Sequence, residues 1–272
     1  MSTVIAAAAP EVFGGRHLAL LGLAAVLGVV VVWGARRLRG HPAEHGVTCL
    51  AGWLLLAASL VWMGWWMLPQ NWDIGRSLPL HYSDVLRIIA AVALIRRSRG
   101  AVAITWYWGL TLNTQALLTP HPSQLQFSPV EFPFYWGLHI AVLLVALVVV
   151  WGLGHRPAWR DFRIAYAAVL GWAAIVMVLN FWLGTNYGFL NELPPGDSIL
   201  DLLGPWPIYI LWEIVLVAAV WALMTLPWTR PRPGTLTTRT ARQRSAGGSG
   251  RGRYRATKKP RQRRGTEPGA PD

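Results

Sequence analysis

Seven long apolar stretches dominate the pattern of hydrophobic and polar positions along this chain. Each holds about 20 mainly apolar residues, the length that a helix needs to span a bilayer. Each is also bounded by Pro, Gly or charged residues, where a helix is expected to stop. The predicted spans lie near residues 17–35, 47–68, 79–95, 101–119, 132–153, 162–183 and 205–226. The pattern therefore predicts an all-α membrane protein with seven transmembrane helices.

Composition divides the chain into two parts. Of the 272 residues, 54% are hydrophobic and only 14% are charged, whereas a soluble domain typically has about 25% charged residues. Residues 1–228 hold 12 Arg, no Lys and 10 acidic residues, while residues 229–272 hold 13 basic and 2 acidic residues. We therefore predict a seven-helix membrane domain over 1–228 and a disordered basic tail over 229–272.

Arginines next to the spans predict the orientation, because basic residues favour the cytoplasmic side of a membrane. Only Arg16 and Arg76 lie on one side. The arginines on the other side are Arg36, Arg37, Arg39, Arg96, Arg97, Arg99, Arg156, Arg160 and Arg163. We therefore expect the N-terminus outside and the tail inside. The start of the chain has no basic residue and its first apolar run is long, which indicates a retained first span and not a secretory signal.

Polar residues inside the spans gather in the predicted outer half of the membrane. An ionisable group at that depth costs a few kcal/mol unless it is paired or hydrated, so each one is a functional hypothesis. Span three begins with His81, Ser83, Asp84 and Arg87. The remaining candidates are Asn113 and Gln115 in span four, His139 in span five, Asn180 in span six, Asn186 and Tyr187 after it, Asp201 before span seven and Glu213 within it. They predict an outward-facing polar pocket.

Simple structural interpretations stand beside this one. Asp84 and Arg87 at i, i+3 can neutralise each other, and Asn and Thr side chains in membrane helices often only join helices. A metal site at His81, Asp84 and His139 is less favoured, because no tight His spacing occurs within a helix. We expect no metal and no cofactor, and the single Cys49 excludes a Cys-based cluster.

Catalysis by Ser83 requires a base within hydrogen-bond reach. His81 lies about 200° away around a regular helix, so His139 is the candidate base. Backbone amides, or the side chains of Asn113 and Asn186, could hold an oxyanion. Arg87 beside Asp84 could instead hold a lipid head group or a small zwitterion.

Three segments carry a resemblance to a known family. They are residues 78–84, 184–190 and 198–209, and residues 113–120 also fit. Over roughly residues 10–228 the chain resembles the YwaF-type integral membrane proteins of bacteria, which implies seven helices in a bacterial cell membrane. That family is similar to a eukaryotic transmembrane group connected to phospholipid acyl transfer, where a Cys after a P-x-H segment and a later His are the proposed pair. The resemblance implies that Ser83 occupies the Cys position and that His139 is the His. A thiol forms its reactive anion more readily than a serine hydroxyl does, so Ser83 either needs a stronger base or is no nucleophile.

The sequence thus predicts a membrane protein whose polar pocket binds or modifies a lipid, by acyl transfer or ester hydrolysis through Ser83 and His139. One alternative is a transporter or receptor-like binder that recognises a small polar solute through Asp84, Arg87 and Glu213. Another is a structural membrane component. The expected partners are membrane lipids, with anionic head groups for the tail. Nucleic acid is not expected, because Tyr254 is the only aromatic residue among the tail's basic residues. Binding of a tail peptide to anionic vesicles that persists at high salt would contradict an electrostatic contact.

Overall fold

The computed structural model describes residues 12–193 and 202–229, and this part of the chain forms helices and loops without a β-strand. The seven helices are α1 (Gly15–Leu38), α2 (Ala43–Met67), α3 (Tyr82–Arg96), α4 (Arg99–Leu110, continued after a break as Leu112–Leu118), α5 (Glu131–Gly152), α6 (Trp159–Leu183) and α7 (Ile208–Thr229). Within the described residues, the prediction of an all-α protein with seven helices is confirmed. The predicted disorder of the tail concerns residues that, apart from Thr229, lie outside the described ones.

Five of the seven helices, namely α1, α2, α5, α6 and α7, are long and apolar enough to cross a membrane. The predicted full-length spans at 79–95 and 101–119 need correction, because α3 has only 15 residues and α4 has pieces of 12 and 7. At about 1.5 Å per residue, α3 is shorter than the ~30 Å hydrocarbon core. The chain forms a turn at residues 79–80 and is extended at His81, so α3 begins only at Tyr82, and α4 is interrupted at Thr111.

The two short helices form the centre of the bundle. In α3, Leu86, Ala90 and Ala91 are fully buried, and in α4 the side chains of Tyr107 and Trp108 are almost fully buried. Helices α2, α5 and α6 pack around this pair. The apolar faces of α1, α2, α6 and α7 remain largely exposed on the outside of the bundle, whereas more than half of α5 is buried. Protein therefore surrounds α3 and α4, whereas the outer helices present the surface that suits lipid.

Glycines bring the central helices close to their neighbours. A methyl group on Gly52 of α2 would lie 2.9 Å from the carbonyl oxygen of Ala91 and 2.7 Å from Cγ1 of Ile95. A methyl group on Gly109 of α4 would lie 2.8 Å from Cβ of Ala146 in α5. Small residues at such crossings allow membrane helices to gain close packing contacts.

Replacing Gly52 with Ala should therefore lower the free energy of unfolding by ~1–3 kcal/mol, because the backbone of α3 leaves no room for the methyl group. Gly64→Ala is the matched control, since it lies on the same helix with nothing within 4 Å of the added methyl group. That change should stabilise the helix by up to ~1 kcal/mol. Unfolding of the full chain in detergent measures both variants. Equal effects of the two would contradict this account of the α2–α3 contact.

Ion pairs join the helices at the end of the bundle where α3 ends and α4 begins. Arg97 donates to Glu44 Oε1 at 2.7 Å and to Thr48 Oγ1 at 2.9 Å, both on α2. Arg99 donates to both carboxylate oxygens of Asp161 at 2.6 and 3.1 Å. Asp161 is fully buried at the start of α6 and also accepts from the backbone N–H of residue 158 at 2.9 Å. Arginines that mark the predicted cytoplasmic end thus also connect α2, α3, α4 and α6.

Candidate functional site

The break in α4 lies toward the end of the bundle where α3 begins. Side chains form hydrogen bonds with the backbone groups near this break. The hydroxyl of Thr111 donates to the carbonyl of Tyr107 at 2.6 Å, and that of Thr114 donates to the carbonyl of Gly109 at 3.2 Å. Trp221 of α7 donates its indole N–H to the hydroxyl oxygen of Thr111 at 3.0 Å. Because lipid offers no hydrogen bonds, backbone groups freed by a break must be paired within the protein.

Side chains from three other helices form hydrogen bonds with carbonyl groups of the second piece of α4. Two of these carbonyls, those of residues 116 and 117, belong to its last turn, where a helix offers no partner of its own. Tyr82 of α3 donates to the carbonyl of residue 112 at 2.9 Å, and Tyr135 of α5 donates to that of residue 116 at 2.7 Å. His17 of α1 lies 2.8 Å from the carbonyl of residue 117 through Nε2. Sequence reasoning missed all three residues. The sequence held a signal for Tyr135 alone, because it lies four residues before His139 and therefore on the same face of the helix.

His139 is buried in α5 and is held in one orientation. Its Nδ1 lies 2.8 Å from the carbonyl oxygen of Tyr135, which can only accept, so Nδ1 carries the proton. In the neutral imidazole Nε2 is then an acceptor, and it has no hydrogen-bond partner among the described residues. The Tyr135 ring covers the imidazole at 4.4 Å between centroids, and Asn113 donates to the carbonyl of His139 at 2.9 Å. This arrangement is the one that a proton acceptor requires.

Asp84 and Arg87 form a buried ion pair one turn apart on α3. The residue Arg87 is only 3% exposed, and its Nε is buried without a hydrogen-bond partner within the described residues. The mutual neutralisation that the i, i+3 spacing suggested is therefore present, and one donor of Arg87 is left over. A buried donor without a partner is unfavourable, and an acceptor that reaches it would remove this cost.

Ser83 is the second residue of α3 and is half-buried. Its hydroxyl makes no hydrogen bond to His139, or to any other group in the described part of the chain. The first N–H groups of a helix have no partner within the helix, and their dipoles point toward its start. Ser83 therefore lies where backbone amides favour negative charge.

The loop before α3 is held by Tyr187. Its phenol donates to the carbonyl of Ile74 at 2.7 Å and accepts from the N–H of Leu78 at 3.0 Å. A phenol is a donor at neutral pH, and burial raises the pKa of Tyr187 further above its ordinary value. The ring of His81 packs edge-on against it at 4.8 Å between centroids. Tyr187 thus positions the segment that leads into Ser83.

Asn180 and Asn186 organise the loop after α6. Asn180 donates to the carbonyl of Tyr187 at 3.0 Å and to Oδ1 of Asn191 at 2.9 Å, and it accepts from the N–H of Tyr187 at 2.8 Å. Asn186 donates to the carbonyl of Glu192 at 2.8 Å. Asn113 and Asn186, the side chains considered for an oxyanion, are therefore both bonded to backbone. At the start of α3, the N–H groups of Asp84 and Val85 donate to the carbonyl of His81, so those of Tyr82 and Ser83, which have no partner among the described residues, remain for that role.

The remaining predicted residues are Gln115, Glu213 and Asp201. Gln115 is exposed on the second piece of α4, and Glu213 is half-buried on α7. Asp201 lies outside the described residues. Within the described residues, no group of three side chains suited to a metal ion forms, and this includes the alternative at His81, Asp84 and His139.

Comparison with known proteins assigns the chain to a family. The model of the TMEM164 family matches residues 12–225, which is most of the chain and includes nearly all of the seven helices. No curated protein and no solved structure matches it. The predicted relation to the YwaF-type family is therefore wrong. The prediction of a bacterial cell membrane rested on that relation and is no longer supported by it. The resemblance rested on a few short motifs, whereas the family model follows almost the whole helical region. The chain belongs to the TMEM164 family of multi-pass membrane proteins.

Proposed function

We propose that this protein modifies a membrane lipid by acyl transfer or ester hydrolysis, with Ser83 as nucleophile and His139 as base. The observation that carries the proposal is the state of His139, whose Nδ1–H is committed to the carbonyl of Tyr135 while Nε2 is left as an acceptor. A serine hydroxyl becomes a useful nucleophile only when such a base takes its proton. Catalytic hydrogen bonds often form only once substrate is bound, which accommodates the absence of a direct bond between the two side chains.

The proposed reaction has two steps. Ser83 Oγ bonds to the ester carbonyl carbon of a lipid while its proton moves to His139 Nε2, and the amides at the start of α3 stabilise the negative oxygen. The carbon–oxygen bond to the lipid alcohol then breaks, and that alcohol leaves with the proton from His139. In the second step, water or the hydroxyl of a lysolipid gives its proton to His139 and bonds to the acyl carbon. The bond from that carbon to Ser83 Oγ then breaks, His139 returns the proton to Oγ, and a fatty acid or a new phospholipid is released.

Arg87 supports a lipid with a phosphate as substrate. Asp84 already pairs with this guanidinium, but Nε remains a buried donor without a partner in the described part of the chain. A phosphate oxygen is a strong acceptor for such a donor. The same feature supports the second candidate function, in which the protein binds or transports a small anionic solute at Arg87 without chemistry at Ser83.

An experiment on the full chain distinguishes the enzyme from the solute binder. The protein is reconstituted with a phospholipid that carries a labelled acyl chain and with an unlabelled lysophospholipid. An enzyme should move label into new phospholipid or into free fatty acid. Saturable binding of inorganic phosphate without any movement of label would favour the solute binder and contradict the acyl-transfer proposal.

We also propose that the end of the bundle with Ser83 faces the outside of a cell membrane and that the arginine-bearing end faces the cytoplasm. A reporter active only in the cytoplasm should then be active when fused at Thr229 and silent when inserted near Gln124. The reverse pattern would place Ser83 on the cytoplasmic side.

A further inference from the structure

A cavity of about 380 Å³ lies between α1, α2 and α5, with the end of α3 at its base. One face of each helix lines it at spacings of three and four residues, as Val31, Gly34, Ala35 and Leu38 do in α1. Its walls are apolar apart from Glu44 and Thr48 at one end. The volume falls in the range of about 300–1,000 Å³ that is typical of small-molecule sites.

Close helix contacts elsewhere explain why this space stays open. A methyl group on Gly152 of α5 would lie 2.7 Å from Cβ of Ala35, and one on Gly28 of α1 would lie 3.0 Å from Leu147 of α5, so α1 packs tightly on α5. At Gly52, α2 packs in the same way on α3. Because α1 packs on α5 and α2 packs on α3, α1 and α2 lie apart and leave the cavity between them.

The surroundings of the cavity indicate its occupant. All three helices that form it qualify as membrane spans, and apolar side chains beside it, such as Val30 and Leu54, are exposed on the outer surface. Water would find few hydrogen-bond partners against such walls. A bilayer, however, supplies flexible acyl chains at this surface, and burying their methylene groups is favourable.

Positive charge surrounds the polar end of the cavity. Arg97 bonds to Glu44 and Thr48, and its Nε is buried without a partner in the described residues. Arg36 and Arg37 are exposed at the end of α1, next to the lining residue Leu38. Clustered guanidinium groups are well suited to a phosphate.

We propose that this cavity binds one acyl chain of a phospholipid, with the phosphate beside Arg97 and the arginines that end α1. The site differs from that of Ser83, because Ser83 lies at the start of α3 and Leu94, which lines the cavity, lies near its end. The inference does not depend on the proposed acyl transfer, so either can fail alone.

Photolabelling of the full chain in nanodiscs tests the proposal, with a phosphatidylcholine that carries a diazirine in one acyl chain as the probe. Label should concentrate on the lining residues of α1, α2 and α5. Val31→Phe and Ala51→Phe, on opposite walls, should each lower this labelling about tenfold, because the ring takes the space of the chain. A diacylglycerol probe with the same chains should label the cavity less than the phospholipid does.

Val30→Phe and Ala57→Phe are matched controls, since both side chains are exposed on the same helices but do not line the cavity. They should leave labelling of the cavity unchanged, and the unfolding temperature of each variant shows that it is folded. Label spread evenly over exposed positions such as Val30 and Leu54 would mean surface lipid only and would overturn the proposal. So would wild-type labelling in both folded cavity variants. Equal labelling by diacylglycerol would overturn the placement of the phosphate.

Discussion

Ser83→Ala should lower lipid turnover by ~10³-fold or more, because removal of a nucleophile removes the covalent step itself. The folded state should be little affected, since the Ser83 hydroxyl makes no hydrogen bond within the described residues. Ser83→Cys should keep measurable turnover, because a thiol gives up its proton more readily than a hydroxyl does. Transfer of a labelled acyl chain by reconstituted protein measures all three forms.

Ser59→Ala is the matched control. Ser59 is fully buried in α2, and its hydroxyl donates only to the carbonyl of Leu55 at 2.7 Å, so its loss should leave turnover near the wild-type level. The cysteine in Ser83→Cys should also react with a membrane-impermeant thiol reagent added from outside. Full activity of Ser83→Ala would exclude Ser83 as the nucleophile and favour a binding function at Arg87.

Asp84→Ala should lower the free energy of unfolding by ~3–5 kcal/mol, because it leaves the charge of Arg87 buried without its partner. The exposed fractions decide this expectation, since the side chains of Arg87 and Asp84 are only 4% and 12% exposed. The double variant Asp84→Leu with Arg87→Met should be more stable than Asp84→Ala alone, because it removes both charges. Thermal unfolding of the full chain in detergent measures each variant.

The chain contains a second i, i+3 pair that serves as the control. Asp73 and Arg76 form it at 3.5 Å, with side chains 53% and 59% exposed. Asp73→Ala should cost at most ~1 kcal/mol, because water screens exposed pairs. If Asp84→Ala cost no more than Asp73→Ala, the pair on α3 would be hydrated, and the unpaired donor of Arg87 would lose its significance for phosphate binding.

Local patterns in the sequence determined the helical architecture of this protein. A long apolar run needs a helix to pair its backbone in lipid, which is why the seven helices lie close to the predicted ranges. The pairing of Asp84 with Arg87 is local in the same sense, because helical geometry brings residues three apart together. The sequence also predicted that His139 lies at the level of the start of α3, since the lengths of successive spans set depth.

Tertiary structure alone decided what most polar side chains do. His17 meets the carbonyl of Leu117 100 positions away, and Arg99 meets Asp161 62 positions away. No helical periodicity encodes such partners, because they depend on which helices become neighbours. That choice rests on close contacts such as the one at Gly52, and it placed the short helices α3 and α4 at the centre. Packing also directed Asn180 to the backbone of the loop that follows its own helix. It left Nε2 of His139 without a hydrogen-bond partner among the described residues, because such partners follow from packing and not from spacing along the chain.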